Sequence, residues 1–171
     1  MDKSARRIKI LELLRNSKNP ISGSELSKTF NISRQIIVQD ISVLKASNHQ
    51  IISTAQGYLL LKSPEKEVAR KVVAVSHKPE DTENELKMLV DIGVTIVDVR
   101  VEHPIYGELI GKLLIETSNQ IKDFMERLNS TGAKLVSELT NGIHLHTLEA
   151  ENPFRLIEAE KILKKAGYLI D

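Results

Sequence analysis

The sequence contains no cysteine and no tryptophan, and aromatic residues make up only 4% of its 171 positions. Without cysteine there are no disulfides, and any metal ion has to be held by nitrogen and oxygen ligands from His, Asp and Glu. The sequence also lacks an apolar run long enough for a membrane helix, and its charged N-terminus has no signal-peptide core. We therefore expect a cytoplasmic protein with no membrane partner.

The net charge of +1 conceals an uneven distribution. Residues 1–62 contain ten Lys and Arg against four Asp and Glu, whereas residues 63–171 contain fourteen against nineteen. A basic segment followed by an acidic one indicates a module that binds a polyanion, joined to a domain with a different task. We predict domains at residues 1–62 and 63–171, with the polar stretch KSPEKE as the linker.

The basic third is predicted to form three helices and a hairpin. The stretches SGSELSKTF and SRQIIVQDISVLKAS predict two helices separated by the turn NIS, and Ser33 is expected to cap the second. The stretch QIISTAQGYLLL predicts a hairpin around AQG. This combination is typical of a winged helix-turn-helix. The inward-facing residues are predicted to be Ile8, Ile10, Leu11, Leu13, Leu14, Leu26, Phe30, Ile37, Ile41 and Leu44.

The start of the third helix favours DNA as the polyanion. In this arrangement Arg34, Gln35 and Gln39 enter the major groove, where Arg and Gln can form paired hydrogen bonds with guanine and adenine. A three-helix bundle that binds other proteins is the alternative, but the basic charge and the Arg–Gln pair favour DNA. Contacts with phosphate, which add affinity without reading sequence, are predicted for Ser33, Lys45, Arg6, Arg7 and Lys9.

The remaining two-thirds of the chain alternates predicted strands and helices. Several strand pairs are joined by turns, which favours an α+β sandwich over a parallel, doubly wound fold. Helices are then expected to cover one face of an antiparallel sheet. The sequence has no glycine-rich phosphate loop and no nucleophile elbow.

Histidines in this region form a pattern suited to metal binding. His144 and His146 stand two apart on a predicted strand, so their side chains share a face. His77 ends the first strand of the domain and Glu85 lies in the helix that follows, so both can approach that pair. Three imidazoles and one carboxylate suit zinc, nickel or ferrous iron. The spacing leaves open the alternative of two surface histidines that happen to share a face.

A fourth histidine stands in the motif VEHPIYGEL. Pro104 and Gly107 mark a sharp turn there, next to His103. The ring can hydrogen-bond an acidic ligand at the mouth of a pocket, or it can satisfy a carbonyl group of the turn. The sequence does not separate these alternatives.

Together, the motifs ISRQIIVQDISVLK, VEHPIYGEL and GIHLHTLEA resemble the 3H-domain transcriptional regulators, which include niacin-responsive repressors of NAD biosynthesis and niacin uptake. The resemblance implies a helix-turn-helix like that of the biotin repressor and an HPr-like α+β domain. It implies a homodimer on operator DNA, with nicotinic acid or a related pyridine carboxylate as effector, and His103 and Arg100 as candidate effector-binding residues. The implied ligands of a nickel, zinc or iron ion are His77, Glu85, His144 and His146.

The leading prediction is therefore a ligand-dependent repressor and not an enzyme. One alternative is a metal-dependent enzyme fused to a DNA-binding domain, because a three-histidine, one-glutamate site with a free position can activate water. Glu102 and Glu108 are then the candidate bases. Another alternative is a dimerisation domain in which the metal is purely structural.

Overall fold

The structure of the protein is a computed structural model that describes residues 2–61 and 68–171. The chain divides into two compact units, one on each side of residues 62–67. The predicted linker KSPEKE and the predicted boundary after residue 62 lie outside the described residues. Within the described ranges, no helix combines the length and the apolar character needed to cross a bilayer.

The N-terminal unit consists of three helices and a two-stranded antiparallel hairpin. Ser22 and Ser33 cap the second and third helices by accepting hydrogen bonds from the main-chain N–H groups of Glu25 and Ile36. Asn31, in the left-handed conformation with φ 50°, closes the turn between these helices. The elements are α1 (Lys3–Asn16), α2 (Gly23–Phe30), α3 (Arg34–Ala46), β1 (Ile51–Thr54) and β2 (Gly57–Leu60).

One apolar face of each helix forms the core of this unit. Ile8 and Leu13, predicted to face inward, are instead 58% and 38% exposed. A helix turns about 100° per residue, so Ile8 lies on the side of α1 opposite to Ile10. Leu11 and Phe30 pack against the core while remaining partly exposed. The buried core residues are Ile10, Leu14, Leu26, Ile37, Ile41, Leu44 and Ile51.

A buried carboxylate connects α1 to α3. Asp40, which is 1% exposed, accepts hydrogen bonds from Arg6 Nε at 2.6 Å and Arg7 Nε at 2.9 Å. Burial would raise the pKa of Asp40, but the two guanidinium groups outweigh it and hold that pKa below its ordinary value. Arg6 is itself largely buried against Asp40, and its contact with phosphate stays a prediction. Its charge neutralises Asp40. Arg7 is partly exposed, and its contact with phosphate stays a prediction.

The C-terminal unit is an antiparallel sheet of four strands packed against helices, which confirms the predicted α+β class. The strand order is β3-β6-β4-β5. Short 3-10 helices at Pro79–Asp81 and Val136–Thr140 precede α4 and β6, respectively. The remaining elements are β3 (Ala69–Ser76), α4 (Thr82–Asp91), β4 (Thr95–His103), β5 (Gly107–Ile115), α5 (Ser118–Thr131), β6 (Ile143–Ala150) and α6 (Phe154–Lys165).

Alternation along the strands gives this sheet one covered face and one open face. Val73 and Val75 are buried, whereas the preceding residue, Val72, is 50% exposed. Helix α6 packs against β3 and β6, and α4 packs against β4. After α6 the chain returns along the outer edge of β3, where the Ser76 N–H donates to the Tyr168 carbonyl. The sequence did not predict this last pairing.

A β-bulge interrupts β4 between Ile96 and Asp98. Ile96 is paired with Leu148 and faces the core, and beyond the bulge Val99 is paired with His146 on the same side. Because strand residues alternate, the side chain of Asp98 turns to the open face beside its partner Thr147. The bulge therefore brings the main chain of Asp98 next to a histidine while its carboxylate points away.

We expect Asp40→Asn to lower the unfolding temperature of the N-terminal unit by several degrees at pH 7, because both guanidinium groups lose their anionic partner. The folded-state pKa of Asp40 is lowered. Its contribution is therefore complete above about pH 4, the ordinary range of an aspartate, and is lost as the pH falls through the folded-state pKa. Calorimetry of the full chain should show the difference from wild type shrinking below about pH 4.

The matched control is Glu12→Gln, which removes a carboxylate from an exposed position of α1. The free energy of unfolding of this variant should differ from that of wild type by no more than about 0.5 kcal/mol. Equal effects of the two substitutions at pH 7 would show that the Asp40 ion pairs do not hold α1 against α3.

Candidate metal centre

Three segments of the C-terminal unit bring a histidine–glutamate cluster together. His77 directly follows β3, Glu85 lies in the first half of α4, and His144 and His146 lie on the covered face of β6. The register pairs Val75 with His144 and Val73 with His146, so the end of β3 lies beside the first ring. The structure thus brings together all four predicted metal ligands, and the surface-histidine alternative is excluded by their burial.

The Nε2 atoms of the three rings surround one oxygen of Glu85. Glu85 Oε2 lies 2.6 Å from His77 Nε2, 3.4 Å from His146 Nε2 and 3.6 Å from His144 Nε2. The Nε2 atoms of His144 and His146 are 3.2 Å apart. The ligand atoms of His77, Glu85 and His144 all lie within 4.8 Å of one another, a spacing that one metal ion can bridge.

The opposite ring nitrogen of each histidine donates a hydrogen bond to a main-chain carbonyl. His77 Nδ1 bonds to the Lys78 oxygen at 2.8 Å, His144 Nδ1 to the Gly142 oxygen at 2.8 Å, and His146 Nδ1 to the Asp98 oxygen at 2.7 Å. A carbonyl oxygen only accepts, so the Nδ1 atoms carry protons. In the neutral rings, the three Nε2 lone pairs therefore all face the carboxylate, and no proton lies between them.

This arrangement concentrates electron-rich atoms and favours added positive charge. Burial would raise the pKa of Glu85, but the surrounding imidazoles hold it well below its ordinary value. Burial would likewise lower the pKa values of His77 and His146, but the Glu85 carboxylate raises both. The second oxygen of the carboxylate, Oε1, is buried without a hydrogen-bond partner among the described residues. Protons on the rings or a metal cation can supply the charge that the cluster favours.

Gly142 fixes the position of two of the rings. Its φ of +93° is strained for other residues, and its carbonyl accepts the hydrogen bond from His144. A Cβ atom added here would overlap the main-chain oxygen of His77. The glycine of the TNG turn is therefore required for the end of β3 to approach the start of β6 this closely.

Asp98, on the neighbouring strand β4, holds the His146 ring in position. Its carboxylate is 1% exposed and accepts hydrogen bonds from the Thr147 N–H at 3.1 Å and from Arg100 at 3.1 and 3.2 Å. Burial would raise the pKa of Asp98, but these bonds hold it below its ordinary value. They fix the bulge whose carbonyl accepts from His146. An acidic residue within the apolar run VTIVDVRV was the sequence signal for this role.

The structure places Arg100 outside the histidine cluster, and its contact with an effector stays a prediction. Arg100 pairs with Leu145 on the open face of the sheet, opposite to Val99 and His146. Its guanidinium bonds to Asp98 and to Thr147 Oγ1, at 3.0 Å from the latter. Strand alternation, together with the bulge, turned this side chain away.

His103 also lies outside the cluster, at the far end of β4. Its Nδ1 atom accepts hydrogen bonds from the N–H groups of Ile105 and Tyr106 at 3.2 and 3.3 Å. The ring therefore stabilises the turn that follows, through N–H groups and not through a carbonyl as the sequence had suggested. Its prediction as an effector-binding residue has no support in this position.

The predicted DNA-contacting residues, apart from Arg6 and Arg7, lie exposed on α3 and α1. Lys45 Nζ donates to Ser53 Oγ of β1 at 2.8 Å, so its charge lies beside the hairpin. Contacts of these residues with DNA stay predictions. The exposed side chains are those of Ser33, Arg34, Gln35, Gln39, Lys45 and Lys9.

A winged helix-turn-helix joined to an α+β unit with a buried histidine–glutamate cluster defines a two-domain, DNA-binding regulator. Family models match both parts, an HTH domain over residues 6–59 and a 3H domain over residues 70–171. The chain is 46% identical over 167 residues to the transcription repressor NadR of Bacillus subtilis, covering 96% of this chain and 93% of the relative. It is 37% identical over 162 residues to the probable transcription repressor NiaR of Thermotoga maritima, covering 95% and 91%, respectively.

The chain belongs to the 3H-domain family of transcription regulators. It is a DNA-binding transcription repressor, and the prediction that it is not an enzyme is confirmed by these relatives. The alternative of a metalloenzyme fused to a DNA-binding domain is set aside on the same ground.

We expect Gly142→Ala to destabilise the C-terminal unit more than Gly132→Ala does. Both glycines have positive φ, which costs another residue about 1–2 kcal/mol. Of these two, Gly142 has a neighbour that an added Cβ would overlap, whereas no described residue lies within 4 Å of such an atom at Gly132. The excess loss in free energy of unfolding should be about 1–3 kcal/mol, measured by denaturant titration. Equal losses would show that the His77 backbone does not constrain the turn.

Proposed function

We propose that this repressor binds one divalent transition metal through His77, Glu85, His144 and His146, and that the metal takes part in binding a small effector. The proposed effector is nicotinic acid or a related pyridine carboxylate. Binding of the effector is proposed to raise operator affinity, so that genes for niacin uptake or NAD synthesis are repressed when niacin is plentiful. The observation that carries the proposal is the convergence of three Nε2 atoms on one Glu85 oxygen.

The donor set fits a transition metal. Imidazole nitrogen and carboxylate oxygen suit zinc, nickel and iron, and each ring is oriented by a main-chain carbonyl in the way that metal-binding histidines usually are. Glu85 Oε1, the second oxygen of this buried carboxylate, has no donor or cationic partner among the described residues. When bound, such a metal supplies positive charge and a coordination position for a ligand from outside the protein.

The pocket beside the cluster is small and mostly apolar. It is walled mainly by aliphatic and aromatic groups, among them Val99, Phe124 and Val136, and its free space of about 30 Å³ admits the metal-binding end of an effector but not a whole ring. A pyridine carboxylate combines a flat ring with a nitrogen and an anionic group, both of which can bind a metal. Neither His103 nor Arg100 is part of this proposal, because both have other partners elsewhere.

The first test measures metal content. Wild type loaded with nickel, zinc or iron and then dialysed should retain about one ion per chain by elemental analysis, because four protein ligands hold it. His144→Ala and His146→Ala should each lose most of it. Metal at 100 times its dissociation constant should stabilise wild type by about 2.7 kcal/mol, and nicotinic acid should add a further thermal shift only when metal is present.

His103→Ala is the matched control, because it removes an imidazole that only stabilises a turn. It should retain metal and respond to nicotinic acid as wild type does. Loss of metal from this variant, or its retention by His144→Ala, would reject the assigned ligands. Metal binding without any response to nicotinic acid would favour a structural metal.

For operator DNA, we propose that Arg34, Gln35 and Gln39 read bases while Lys45, Lys9 and Ser33 contact phosphates. All six lie exposed on or beside the elements of the helix-turn-helix. We also propose a homodimer, because one recognition helix covers too few base pairs for a selective site. Two half-sites should then lie about 34–36 Å apart on a palindromic operator. Sedimentation showing a monomer that binds one half-site at full affinity would reject the dimer.

Arg34→Ala should lose about 1–3 kcal/mol of discrimination between a selected operator and random DNA, because it removes a paired contact with a base. Lys45→Ala is the matched comparison, since it also removes one exposed cation. It should weaken binding to both DNAs alike, and the slope of log affinity against log salt concentration should fall by about the value of one phosphate contact. Fluorescence anisotropy at several salt concentrations measures both effects. Equal weakening on both DNAs by Arg34→Ala would contradict its role in base reading.

A further inference from the structure

Helix α4 contributes a second polar group to the pocket beside the histidine cluster. Thr82, the first residue of α4, lines this pocket together with Glu85 and the three histidines. Residues three apart on a helix share a face, with Cβ atoms about 5–6 Å apart, so Thr82 and Glu85 lie on the same face of α4. The remaining walls include Leu86, Val99, Leu113, Phe124, Leu135 and Val136.

The Thr82 hydroxyl is buried and has no hydrogen-bond partner among the described residues. The residue as a whole is 8% exposed. A threonine at the start of a helix often uses its hydroxyl to cap the helix, but no side chain in the described part of the chain caps α4. Leaving a buried hydroxyl unpaired costs about 1–3 kcal/mol. Valine has nearly the same shape without that cost, so packing alone does not account for a threonine at this position.

We propose that the Thr82 hydroxyl is the hydrogen-bond partner of the ligand that the metal takes from outside the protein. This inference rests on the proposed metal site and extends it to the effector. The four metal-binding side chains and Thr82 line one pocket, so a molecule bound to the metal from this pocket comes within reach of the hydroxyl. Thr82 acts on the ligand and not on the protein's own metal-binding groups, with which it forms no hydrogen bond.

The volume of the pocket limits the part of the ligand that Thr82 can contact. The free space between these side chains is about 30 Å³, which has room for a few atoms beside the metal but not for a whole aromatic ring. The metal-binding end of the ligand, a lone-pair donor with a polar atom close to it, therefore lies next to Thr82, and the rest of the molecule lies toward the open side of the pocket. The carboxylate of a heteroaromatic acid is such an end.

The experiment titrates the full-length protein, loaded with cobalt(II), with nicotinic acid and follows the visible absorption of the metal. Thr82→Val removes the hydroxyl at nearly constant shape, and Thr82→Ser retains it. Both variants should keep their cobalt. The dissociation constant for nicotinic acid should rise about 5- to 10-fold in Thr82→Val, the value of one hydrogen bond, and stay within about 2-fold of wild type in Thr82→Ser.

A further readout separates this role from a structural one. Without metal or ligand, Thr82→Val should be as stable as wild type or more stable, because an unpaired buried hydroxyl has been replaced by a methyl group. Clear destabilisation of the metal-free protein, or loss of cobalt from Thr82→Val, would show that the hydroxyl supports the protein and would overturn the inference. Equal nicotinic acid affinity in wild type and Thr82→Val would also overturn it, while leaving the metal and effector proposals in place.

Azide provides a second probe that does not depend on the identity of the effector. If nicotinic acid leaves the wild-type cobalt spectrum unchanged, the effector proposed above is wrong, and azide then decides the role of Thr82. A spectral change with azide that is weaker in Thr82→Val than in Thr82→Ser supports the inference. No change with azide, or an equal change in both variants, rejects it.

Discussion

The charge of the Glu85 carboxylate is the feature on which the C-terminal unit depends. It is 1% exposed, and its nearest polar neighbours are three imidazole nitrogens that are lone-pair acceptors when the rings are neutral. A buried charge is tolerated in a protein interior only when opposite charge lies beside it. The Glu85 charge is therefore stable on the covered face of the sheet only when a cation or protonated imidazole rings lie beside it. The attraction between the carboxylate and the neighbouring imidazoles is also what lowers the pKa of Glu85.

The N-terminal unit meets the same requirement in a different way. Asp40 is equally buried, but the chain supplies its own cations, Arg6 and Arg7, at 2.6 and 2.9 Å. Both oxygens of Asp40 are therefore paired with cations of the protein itself, and these ion pairs hold α1 against α3. Glu85 differs, because its Oε1 atom has no partner among the described residues. This difference indicates that Glu85 takes a partner from solution.

The positions of the rings depend on the backbone more than on side-chain packing. Three main-chain carbonyls, those of Lys78, Gly142 and Asp98, hold the Nδ1 atoms, and each comes from an irregular point of the chain. These points are the end of β3, a turn with positive φ and a β-bulge. Asp98 connects the cluster to the open face of the sheet, because its carbonyl accepts a hydrogen bond from His146 and its carboxylate accepts one from Arg100.

Periodicity and capping by themselves determined the three helices, the hairpin and the α+β pattern, and strand alternation placed His144 and His146 on one face. These features are local, because they depend on residues a few positions apart. Only the tertiary structure decided that Arg6 is buried, that Arg100 and His103 lie away from the cluster, and that Thr82, Asp98 and Gly142 belong beside it. Those outcomes depend on contacts between distant segments, on strand register and on a one-residue bulge, and a shift of one residue turns a side chain to the opposite face.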